Sequence, residues 1–331
     1  MADPYSRIAV LGAGAWGTAL ALTALAAERD TILWVREEDV LDEIRTAQQN
    51  RFLPGLVMPK TLPVTGDLAQ AVTRADAVLL VVPAQVLKDF VAGLAPHLAP
   101  GIPLVICAKG IEKDSGRLLN EVAAEAAPTA TIAILSGPSF ARDVARGLPT
   151  AVTIAAENDV AERLQASLGT IAFRPYVSDD VTGVALGGAA KNVYAIACGV
   201  VEGLGLGENA RAALLARGFA ELARLGEALG ARRETLMGLS GLGDLVLTAT
   251  SKSSRNFSFG AELGQGKSVA ELSAPGKPLA EGVATASALV TRARQAGVEL
   301  PVAEAMADLI SGALPLGEAV TRLMRRRLTS E

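Results

Sequence analysis

Short apolar runs and amphipathic stretches alternate along the first half of the chain. Apolar runs of about five residues are typical of strands that are buried on both faces of a sheet. They predict strands at residues 7–11, 31–35, 77–82, 104–108, 131–135, 151–155 and 171–176. Helical patterns lie between them near residues 15–28, 38–49 and 158–168, with a further strand–helix unit around 67–74. This alternation predicts an α/β fold with a doubly wound, mostly parallel sheet.

The strand signals stop after residue 180, and helical patterns occupy the rest of the chain. Helices are predicted near residues 181–201, 208–229, 232–237, 280–296, 301–311 and 315–327. The change in pattern predicts two domains. The first is an α/β domain over residues 1–187, and the second is an all-α domain over residues 188–331.

The composition excludes several classes of protein. The chain has 331 residues, of which 50% are hydrophobic and 20% charged, which is the balance of a globular protein with a sizeable core. A net charge of −4 and an aromatic content of 4% argue against a nucleic-acid partner. Apolar stretches such as residues 18–27 are shorter than the roughly 20 residues that cross a bilayer, so we expect no membrane insertion.

The cysteines and the N-terminus indicate a reducing compartment. Cys107 and Cys198 lie far apart in apolar runs, which is typical of buried thiols and not of disulfides or zinc ligands. No basic segment followed by a cleavable apolar segment precedes the first strand, so we expect a cytoplasmic protein. The pattern specifies no oligomeric state, and a homodimer is our expectation.

The chain contains one histidine, which limits the residue types that can carry out acid–base steps or bind a metal. His97 lies between Pro96 and Pro100 in a predicted surface loop. A histidine general base and a histidine-rich metal site are therefore not expected, and we predict no metal site. If the protein is an enzyme, its acid–base steps fall to Lys, Asp, Glu or Tyr.

A glycine pattern follows the first predicted strand and opens the first predicted helix. Gly12, Gly14 and Gly17 have the spacing G-x-G-x-x-G, which is typical of dinucleotide-binding turns in this context. Gly12 would permit a tight turn, Gly14 a close approach to a pyrophosphate, and Gly17 the packing of helix on strand. The helix N-terminus would offer unpaired N–H groups to the anion. A glycine turn without a ligand is the alternative.

Arg36 follows the second predicted strand. A site that prefers NAD has an acidic residue there for the ribose hydroxyls, whereas arginine can pair with the 2′-phosphate of NADP. Glu37 and Glu38 come next and can restore a preference for NAD. The expected cofactor is therefore NADP(H), NAD(H) or both, unless Arg36 is an ordinary surface charge.

Two predicted strands carry candidate ligand-binding residues at their carboxyl ends, where open parallel sheets bind ligands. Lys109 follows the strand at 104–108, and Ser139 follows the strand at 131–135 in a turn fixed by Gly137 and Pro138. Lys109 can meet a cofactor or an anionic substrate there, or it can extend from the strand end into solvent. The pattern does not decide between these two roles.

Lys191 is the candidate for a proton-transferring group. It lies in a run of small and apolar residues at 186–198, where a buried lysine requires a partner or a lowered pKa. Both conditions suit proton transfer, although a lysine that simply reaches solvent is the alternative. Asp244, in the glycine-rich segment 238–247, can pair with Lys191, although an N-cap is its simplest role.

A polar set at residues 253–256 can bind a phosphate. Arg255 offers a bidentate donor, and Ser254 and Asn256 offer neutral donors. The alternative is an exposed polar loop with an N-cap. Glu281, in a second polar loop at 277–281, can accept hydrogen bonds from ribose hydroxyls.

Seven motifs together resemble the bacterial NAD(P)-dependent glycerol-3-phosphate dehydrogenase family over residues 7–327. They are GAGAWGTALA at 12–21, NRFLPG at 50–55, LSGPSFA at 135–141, LGGAAKNVYAIACG at 186–199, GLGDLVLT at 241–248, SRNFSFG at 254–260 and LAEG at 279–282. The resemblance implies a Rossmann-like NAD(P)-binding domain followed by an all-helical substrate-binding domain. It also implies the interconversion of sn-glycerol 3-phosphate and dihydroxyacetone phosphate, which feeds glycerophospholipid synthesis.

The resemblance further implies roles for individual residues. Lys191 matches the proton acceptor, and Lys109 matches a lysine that cofactor and substrate share; with Asp244 they form the expected catalytic group. The residues that match cofactor contacts, beside the glycine turn, are Ala15, Trp16, Arg36, Lys109, Ala141, Arg255, Leu279 and Glu281. The residues that match the substrate site are Lys109, Gly137, Ser139, Lys191, Asp244, Ser254, Arg255 and Asn256.

Two departures from the family pattern and two rival functions remain. Some relatives have a basic pair where this chain has Arg36-Glu37, and relatives often carry arginine and lysine within residues 284–287, which here are Ala-Thr-Ala-Ser.

One rival function is that of a hydroxy-acid dehydrogenase of related two-domain architecture. The polar set at 253–256 favours a phosphate substrate instead. The other is a non-catalytic dinucleotide sensor, which would be expected to lose the two lysines.

Overall fold

A computed structural model describes residues 2–157 and 159–325 of the chain. These residues form two compact units. The first contains the residues up to Ala108 together with Leu119–Val184, and the second contains Lys109–Leu118 together with the residues from Ala185 onward. The segment Lys109–Leu118 therefore folds with the second unit, whereas the sequence pattern indicates a single change at residue 187.

The first unit is built on one eight-stranded sheet. Its strands are β1 (Arg7–Leu11), β2 (Asp30–Trp34), β3 (Val64–Thr65), β4 (Ala77–Leu80), β5 (Pro103–Ile106), β6 (Thr131–Ser136), β7 (Thr150–Ala155) and β8 (Phe173–Ser178). Their order is β3-β2-β1-β4-β5-β6-β7-β8, and every neighbouring pair is parallel except β6 with β7. In the register, Val10 lies opposite Leu33 on one side and Leu79 on the other. The predicted doubly wound, mostly parallel sheet is confirmed.

Helices pack on this sheet. They are α1 (Ala15–Ala26), α2 (Glu38–Ala47), α3 (Leu68–Val72), α4 (Leu87–Leu94), α5 (Leu119–Ala126), α6 (Ala141–Ala145) and α7 (Val160–Leu168). Strands β4 and β5 are buried along their whole length, which explains their continuous apolar runs. The last strand begins two residues later than predicted. Thr170 closes a turn onto Phe173 there, and the side chain of Ile171 is left 97% exposed.

The described part of the second unit is helical. Its helices are α8 (Val181–Gly203, which starts in the first unit), α9 (Gly207–Ala228), α10 (Arg233–Met237), α11 (Asp244–Thr250), α12 (Arg255–Gly264), α13 (Val269–Leu272), α14 (Glu281–Gln295), α15 (Pro301–Ser311) and α16 (Leu316–Met324). The predicted all-α character is confirmed. The last predicted helix extends to residue 327, but α16 ends at Met324, and Arg326 and Arg327 lie outside the described residues.

Two helices of the second unit, α12 and α13, are absent from the sequence prediction, and α11 was predicted without bounds. The glycine-rich segment 238–247 was expected to be a loop that leads into a helix, with Asp244 as the N-cap in its simplest role. In the structure these residues lead through a π-helical turn, Leu239–Gly243, directly into α11. Each of the three helices is short, so its sequence gives little periodic signal.

Helix α8 is the core helix of the second unit. It is long and apolar enough to cross a membrane, so the expectation that no stretch has that length was wrong. However, 94% of its most apolar window is buried inside the protein. That burial is typical of the central helix of a folded domain.

Glycines bring the neighbours of α8 to backbone distance. A Cβ atom at Gly199 of α8 would lie 2.1 Å from a carbonyl oxygen of α12, and one at Gly260 of α12 would lie 2.0 Å from a carbonyl oxygen of α8. A Cβ atom at Gly282, the second residue of α14, would lie 2.6 Å from another carbonyl oxygen of α8. No side chain fits in these contacts, so the first turns of α12 and α14 are fixed closely to α8.

Candidate active site

The carboxylate of Asp244 joins two lysines within the second unit. Nζ of Lys109 donates to Oδ2 at 2.7 Å, and Nζ of Lys191 donates to Oδ1 at 2.5 Å. The side chain of Asp244 is 1% exposed, compared with 9% for Lys191 and 16% for Lys109. The N-cap position that the sequence suggested for Asp244 belongs instead to Gly243, because Asp244 is the first residue of α11.

Thr248 completes the surroundings of the Lys191 ammonium group. Nζ of Lys191 donates to Oγ1 of Thr248 at 2.8 Å, and the same hydroxyl lies 3.3 Å from Oδ1 of Asp244. Thr248 and Asp244 are four residues apart on α11, so they lie on one face of that helix. Thr248 was not predicted as a site residue from the sequence. The spacing that identifies it has meaning only when residues 244–250 are known to be helical.

Burial governs the protonation of Lys191. Removal from water disfavours the ammonium form and lowers the pKa of Lys191 from 10.5 to about 7. The Asp244 carboxylate opposes this shift, and the positive charge of Lys109 adds to it. Near neutral pH both protonation states of Lys191 are populated, which is the condition for a group that accepts and donates protons in one reaction cycle.

A chain of buried amides connects Lys109 to the start of α14. Nδ2 of Asn192 donates to the main-chain oxygen of Lys109 at 3.2 Å, and Oδ1 of Asn192 accepts from Nδ2 of Asn256 at 2.9 Å. Oδ1 of Asn256 in turn accepts from the N–H of Gly282 at 2.9 Å. Asn192, which follows Lys191 on α8, was missed by the sequence analysis. Asn256 retains one N–H for a ligand, because its amide nitrogen carries two.

The N-terminus of α12 is suited to an anion. Arg255 occupies the first position of this 10-residue helix, and its exposed guanidinium forms no hydrogen bond or ion pair with other described residues. Oγ of Ser254 caps the helix by accepting from the N–H of Phe257 at 3.2 Å. Ser254 and Asn256 are 4% and 8% exposed, so of the alternative, an exposed polar loop with an N-cap, the N-cap is confirmed but these two residues are not exposed. A free guanidinium and the positive end of a helix dipole both attract a phosphate.

The glycine turn of the first unit has the shape that a dinucleotide requires. Gly12 has a φ of +118°, and a Cβ atom there would lie 2.6 Å from the carbonyl oxygen of Val81. A Cβ atom at Gly17 would lie 1.8 Å from the carbonyl oxygen of Gly12. At Gly14, by contrast, a Cβ atom would meet no protein atom within 4 Å, and no side chain caps α1, which starts at Ala15. The main chain is therefore bare where a pyrophosphate is expected.

Residues around the turn support this fit. Asn50, from the motif at 50–55, is 2% exposed, and its Nδ2 donates to the carbonyl oxygen of Ala13 and to Oγ1 of Thr18, both at 2.9 Å. The indole Nε1–H of Trp16 is buried without a partner among the described residues, so this donor is available to a ligand. The turn is thus held by a side chain from a distant loop and keeps one donor free.

Arg36 forms an ion pair with Glu37, the next residue in the chain. Nε and Nη2 of Arg36 donate to Oε1 of Glu37 at 3.0 and 2.5 Å, while the Arg36 side chain remains 68% exposed. A 2′-phosphate at this position would compete with Glu37 for the guanidinium. The pair Arg36-Glu37 therefore accounts physically for the two opposing cofactor preferences that the sequence suggests.

The predicted ligand-binding residues are divided between the two units. Gly137 has a φ of +149°, and a Cβ atom there would lie 2.8 Å from Cα of Val152. Oγ of Ser139 donates to the carbonyl oxygen of Gly137 at 3.0 Å, and Ala141 begins α6, which packs on α1. In the first unit are Gly12, Gly14, Ala15, Trp16, Gly17, Arg36, Gly137, Ser139 and Ala141; in the second are Lys109, Lys191, Asp244, Ser254, Arg255, Asn256, Leu279 and Glu281.

Comparison with known proteins gives the family. The family model described as NAD-dependent glycerol-3-phosphate dehydrogenase N-terminus matches residues 7–162, and the model for the C-terminus of the same family matches residues 180–321. This chain belongs to the NAD-dependent glycerol-3-phosphate dehydrogenase family. It is an NAD(P)-dependent oxidoreductase by that membership, and the resemblance inferred from the seven motifs is confirmed.

The sequences of individual relatives align with this one along most of its length. The glycerol-3-phosphate dehydrogenase [NAD(P)+] of Parvibaculum lavamentivorans is 56% identical over 88% of this chain and 88% of its own. That of Bradyrhizobium sp. strain ORS 278 is 57% identical over 88% of this chain and 87% of its own. The crystal structure of glycerol-3-phosphate dehydrogenase from Coxiella burnetii is 38% identical, covers 98% of this chain and 99% of its own, and has a TM-score of 0.92.

Replacement of Arg36 tests its part in cofactor selection. We expect Arg36→Ala to weaken NADPH binding by about tenfold or more, because charge-assisted hydrogen bonds to the 2′-phosphate are lost. The Kd for NADH should change little. Glu37→Gln should act in the opposite direction by releasing the guanidinium. Fluorescence titration of both reduced cofactors measures these constants, and an equal loss for NADPH and NADH in Arg36→Ala would contradict the assignment.

Proposed function

We propose that this protein interconverts sn-glycerol 3-phosphate and dihydroxyacetone phosphate with NADP(H) or NAD(H), and so supplies glycerol 3-phosphate for glycerophospholipid synthesis. The observation that carries the proposal is the buried cluster of Lys109, Asp244 and Lys191, in which the pKa of Lys191 is lowered to about 7. We further propose that it acts in the cytoplasm as a homodimer.

Lys191 moves the proton in this scheme. The nicotinamide cofactor, when bound, exchanges the hydride, so the protein's own residues have to orient the substrate and transfer one proton. In oxidation, neutral Nζ of Lys191 accepts the proton of the substrate's secondary hydroxyl. In reduction, the ammonium form donates that proton to the developing alkoxide. The oxygens of Asp244 and Thr248 accept hydrogen bonds from Nζ and so hold it in place.

Lys109 supplies positive charge beside the proton-transferring group. Its ammonium shares the Asp244 carboxylate with Lys191, and its charge contributes to the lowered pKa of Lys191. In our proposal this charge also stabilises the oxygen that becomes negative in the transition state. The amide of Asn192 fixes Lys109 through its main-chain oxygen, so the lysine is held at both its backbone and its side chain.

The N-terminus of α12 holds the substrate phosphate. Arg255 contributes the free guanidinium, and Asn256 contributes its remaining N–H. The Ser254 hydroxyl, whose lone pair caps the helix, can still donate its own proton. Because α12 contacts α8 at backbone distance, the phosphate site and Lys191 keep a fixed separation within the second unit.

The remaining site residues serve the cofactor, except for Gly137 and Ser139. The glycine turn at Gly12–Gly17 receives the pyrophosphate with Ala15 and Trp16, and Arg36 receives a 2′-phosphate. Gly137 and Ser139 serve the substrate, and Ala141, Leu279 and Glu281 are further cofactor contacts. Glu281 is the first residue of α14 and Leu279 is 54% exposed. The replacement of the usual basic residues by Ala-Thr-Ala-Ser at 284–287 removes positive charge from α14, which weakens the attraction of this helix for an anionic cofactor.

A spectrophotometric assay separates this proposal from the two rivals. The purified protein is mixed with dihydroxyacetone phosphate and either NADPH or NADH, and the loss of reduced cofactor is followed. Oxidation of either cofactor supports the proposal. If both cofactors bind but only a 2-keto acid causes oxidation, the hydroxy-acid reading is correct. Binding without oxidation by any carbonyl compound would identify a sensor.

Lys191→Gln tests the proton-transfer role. We expect kcat to fall by about a hundredfold to ten-thousandfold in both directions, because general acid–base catalysis contributes on that scale. The Kd of the cofactor should remain close to that of the unmodified protein. Lys267→Gln, which alters an exposed lysine paired with Glu262, is the matched control and should leave kcat unchanged. Near-normal turnover in Lys191→Gln would refute the assignment.

Arg255→Ala tests the phosphate site. Removal of a charge-assisted pair worth about 1.5–3 kcal/mol should raise the KM for dihydroxyacetone phosphate by roughly tenfold or more. Arg294→Ala, at an exposed arginine of α14, is the matched control. Steady-state kinetics with varied substrate measures the effect, and an unchanged KM in Arg255→Ala would exclude the proposed phosphate contact.

A further inference from the structure

The aspartate of the cluster is delivered by an unusual turn. The π-helical turn Leu239–Gly243 is closed by a hydrogen bond from the N–H of Gly243 to the carbonyl oxygen of Gly238 at 3.0 Å, and Asp244 follows it directly. Turns of this kind widen a helix locally and occur frequently at functional sites. The position of the Asp244 carboxylate therefore depends on where this turn lies relative to α8.

Gly187 is the residue of α8 that contacts the turn. A Cβ atom at Gly187 would lie 2.8 Å from the carbonyl oxygen of Ser240 and 3.0 Å from Cα of Gly241. Lys191 follows Gly187 by four residues, so both residues lie on the same face of α8. The backbone contact at Gly187 and the ion pair of Lys191 with Asp244 are thus neighbouring parts of one interface.

The turn is also packed closely against α10, the helix that precedes it in the chain. A Cβ atom at Gly241 would lie 1.9 Å from the carbonyl oxygen of Leu236, so the turn is packed against the backbone of α10. It therefore has two close backbone contacts, one with α8 at Gly187 and one with α10 at Gly241. A methyl group at residue 187 would therefore displace the turn as a whole, and Asp244 would move with it.

We propose that Gly187 is a positioning residue, whose lack of a side chain sets the distance between Nζ of Lys191 and the carboxylate of Asp244. The inference rests on the proposed role of Lys191 in proton transfer. It explains why a glycine lies within the buried helix α8, where glycine is less favourable than alanine. Gly187 touches no reacting atom and acts only through Asp244.

Gly187→Ala should lower the pKa of Lys191. The charged groups that face Lys191 are Asp244 from α11 and Lys109 from the segment Lys109–Leu118. A more distant Asp244 raises the pKa of Lys191 less, while burial and Lys109 continue to lower it, so the pKa falls below about 7. Oxidation, which needs the neutral amine, should then keep its rate to lower pH. Reduction at neutral pH should slow by about fivefold for the first pH unit of the shift and by about tenfold for each further unit.

The test compares Gly187→Ala with Gly264→Ala. A Cβ atom at Gly264, the last residue of α12, would lie 2.6 Å from the carbonyl oxygen of Val200, so it adds comparable crowding against α8 away from Asp244. Both variants should lose stability to urea. Only Gly187→Ala should move the pH dependence of kcat to lower pH. In the Gly187→Ala background, Asp244→Glu should move the pH dependence back, because the longer side chain spans the widened gap.

Several outcomes would overturn the inference. The inference fails if Gly187→Ala has a normal kcat with an unchanged pH dependence. It also fails if Gly264→Ala shifts the pH dependence of kcat by the same amount. If Gly187→Ala does not fold, Asp244→Glu alone tests the same distance, and unchanged kcat and pH dependence in that variant would also overturn it. Failure of the proposed function is distinguishable, since the unmodified protein would then lack a pH dependence that Lys191→Gln abolishes.

Discussion

The second unit holds two ammonium groups and one carboxylate largely out of water. The free-energy cost of burying these charges is the main constraint on its structure. Buried charges cost several kcal/mol each unless partners compensate them with good geometry. Asp244 compensates both lysines, and burial nevertheless lowers the pKa of Lys191 to about 7. The same imbalance that costs stability gives Lys191 a proton affinity suited to neutral pH.

Such a cluster works only if its members cannot move apart, and the packing of α8 provides that rigidity. Glycines on α8 and on its neighbours bring α12, α14 and the π-helical turn to backbone distance. The amides of Asn192 and Asn256 then connect Lys109 with the start of α14 through hydrogen bonds. The main chains therefore fix the separation between the part of α8 that carries Lys191 and the N-terminal end of α12.

The sequence predicts those parts of the molecule that depend on local patterns. Strands such as β4 and β5 are buried on both faces and appear as continuous apolar runs, and Gly12 and Gly17 have conformations or contacts that only glycine permits. Lys191 was recognisable because an isolated lysine in an apolar helix needs an explanation. Thr248 and Asn192 were missed because their roles depend on contacts between helices that are distant in sequence.

The placement of residues 109–118 in the second unit was missed for a similar reason. Ile111 and Leu118 are fully buried in the core of the helical unit, but the segment follows a strand of the sheet and has no pattern of its own. Helix α12 and the bounds of α11 were not predicted from the sequence, which has glycines within or directly before these helices. In the structure these glycines serve contacts with α8 and α10, which is a tertiary requirement.

The most direct test of this account is the titration of the Lys191 amine by NMR. The chain has eight lysines, so a protein labelled with ¹⁵N only at lysine gives few side-chain signals, and the signal lost in Lys191→Gln identifies Lys191. We predict that this signal titrates with a pKa of about 7. If every lysine instead titrates near the ordinary value of about 10.4, Lys191 is not tuned for proton transfer and the central claim fails.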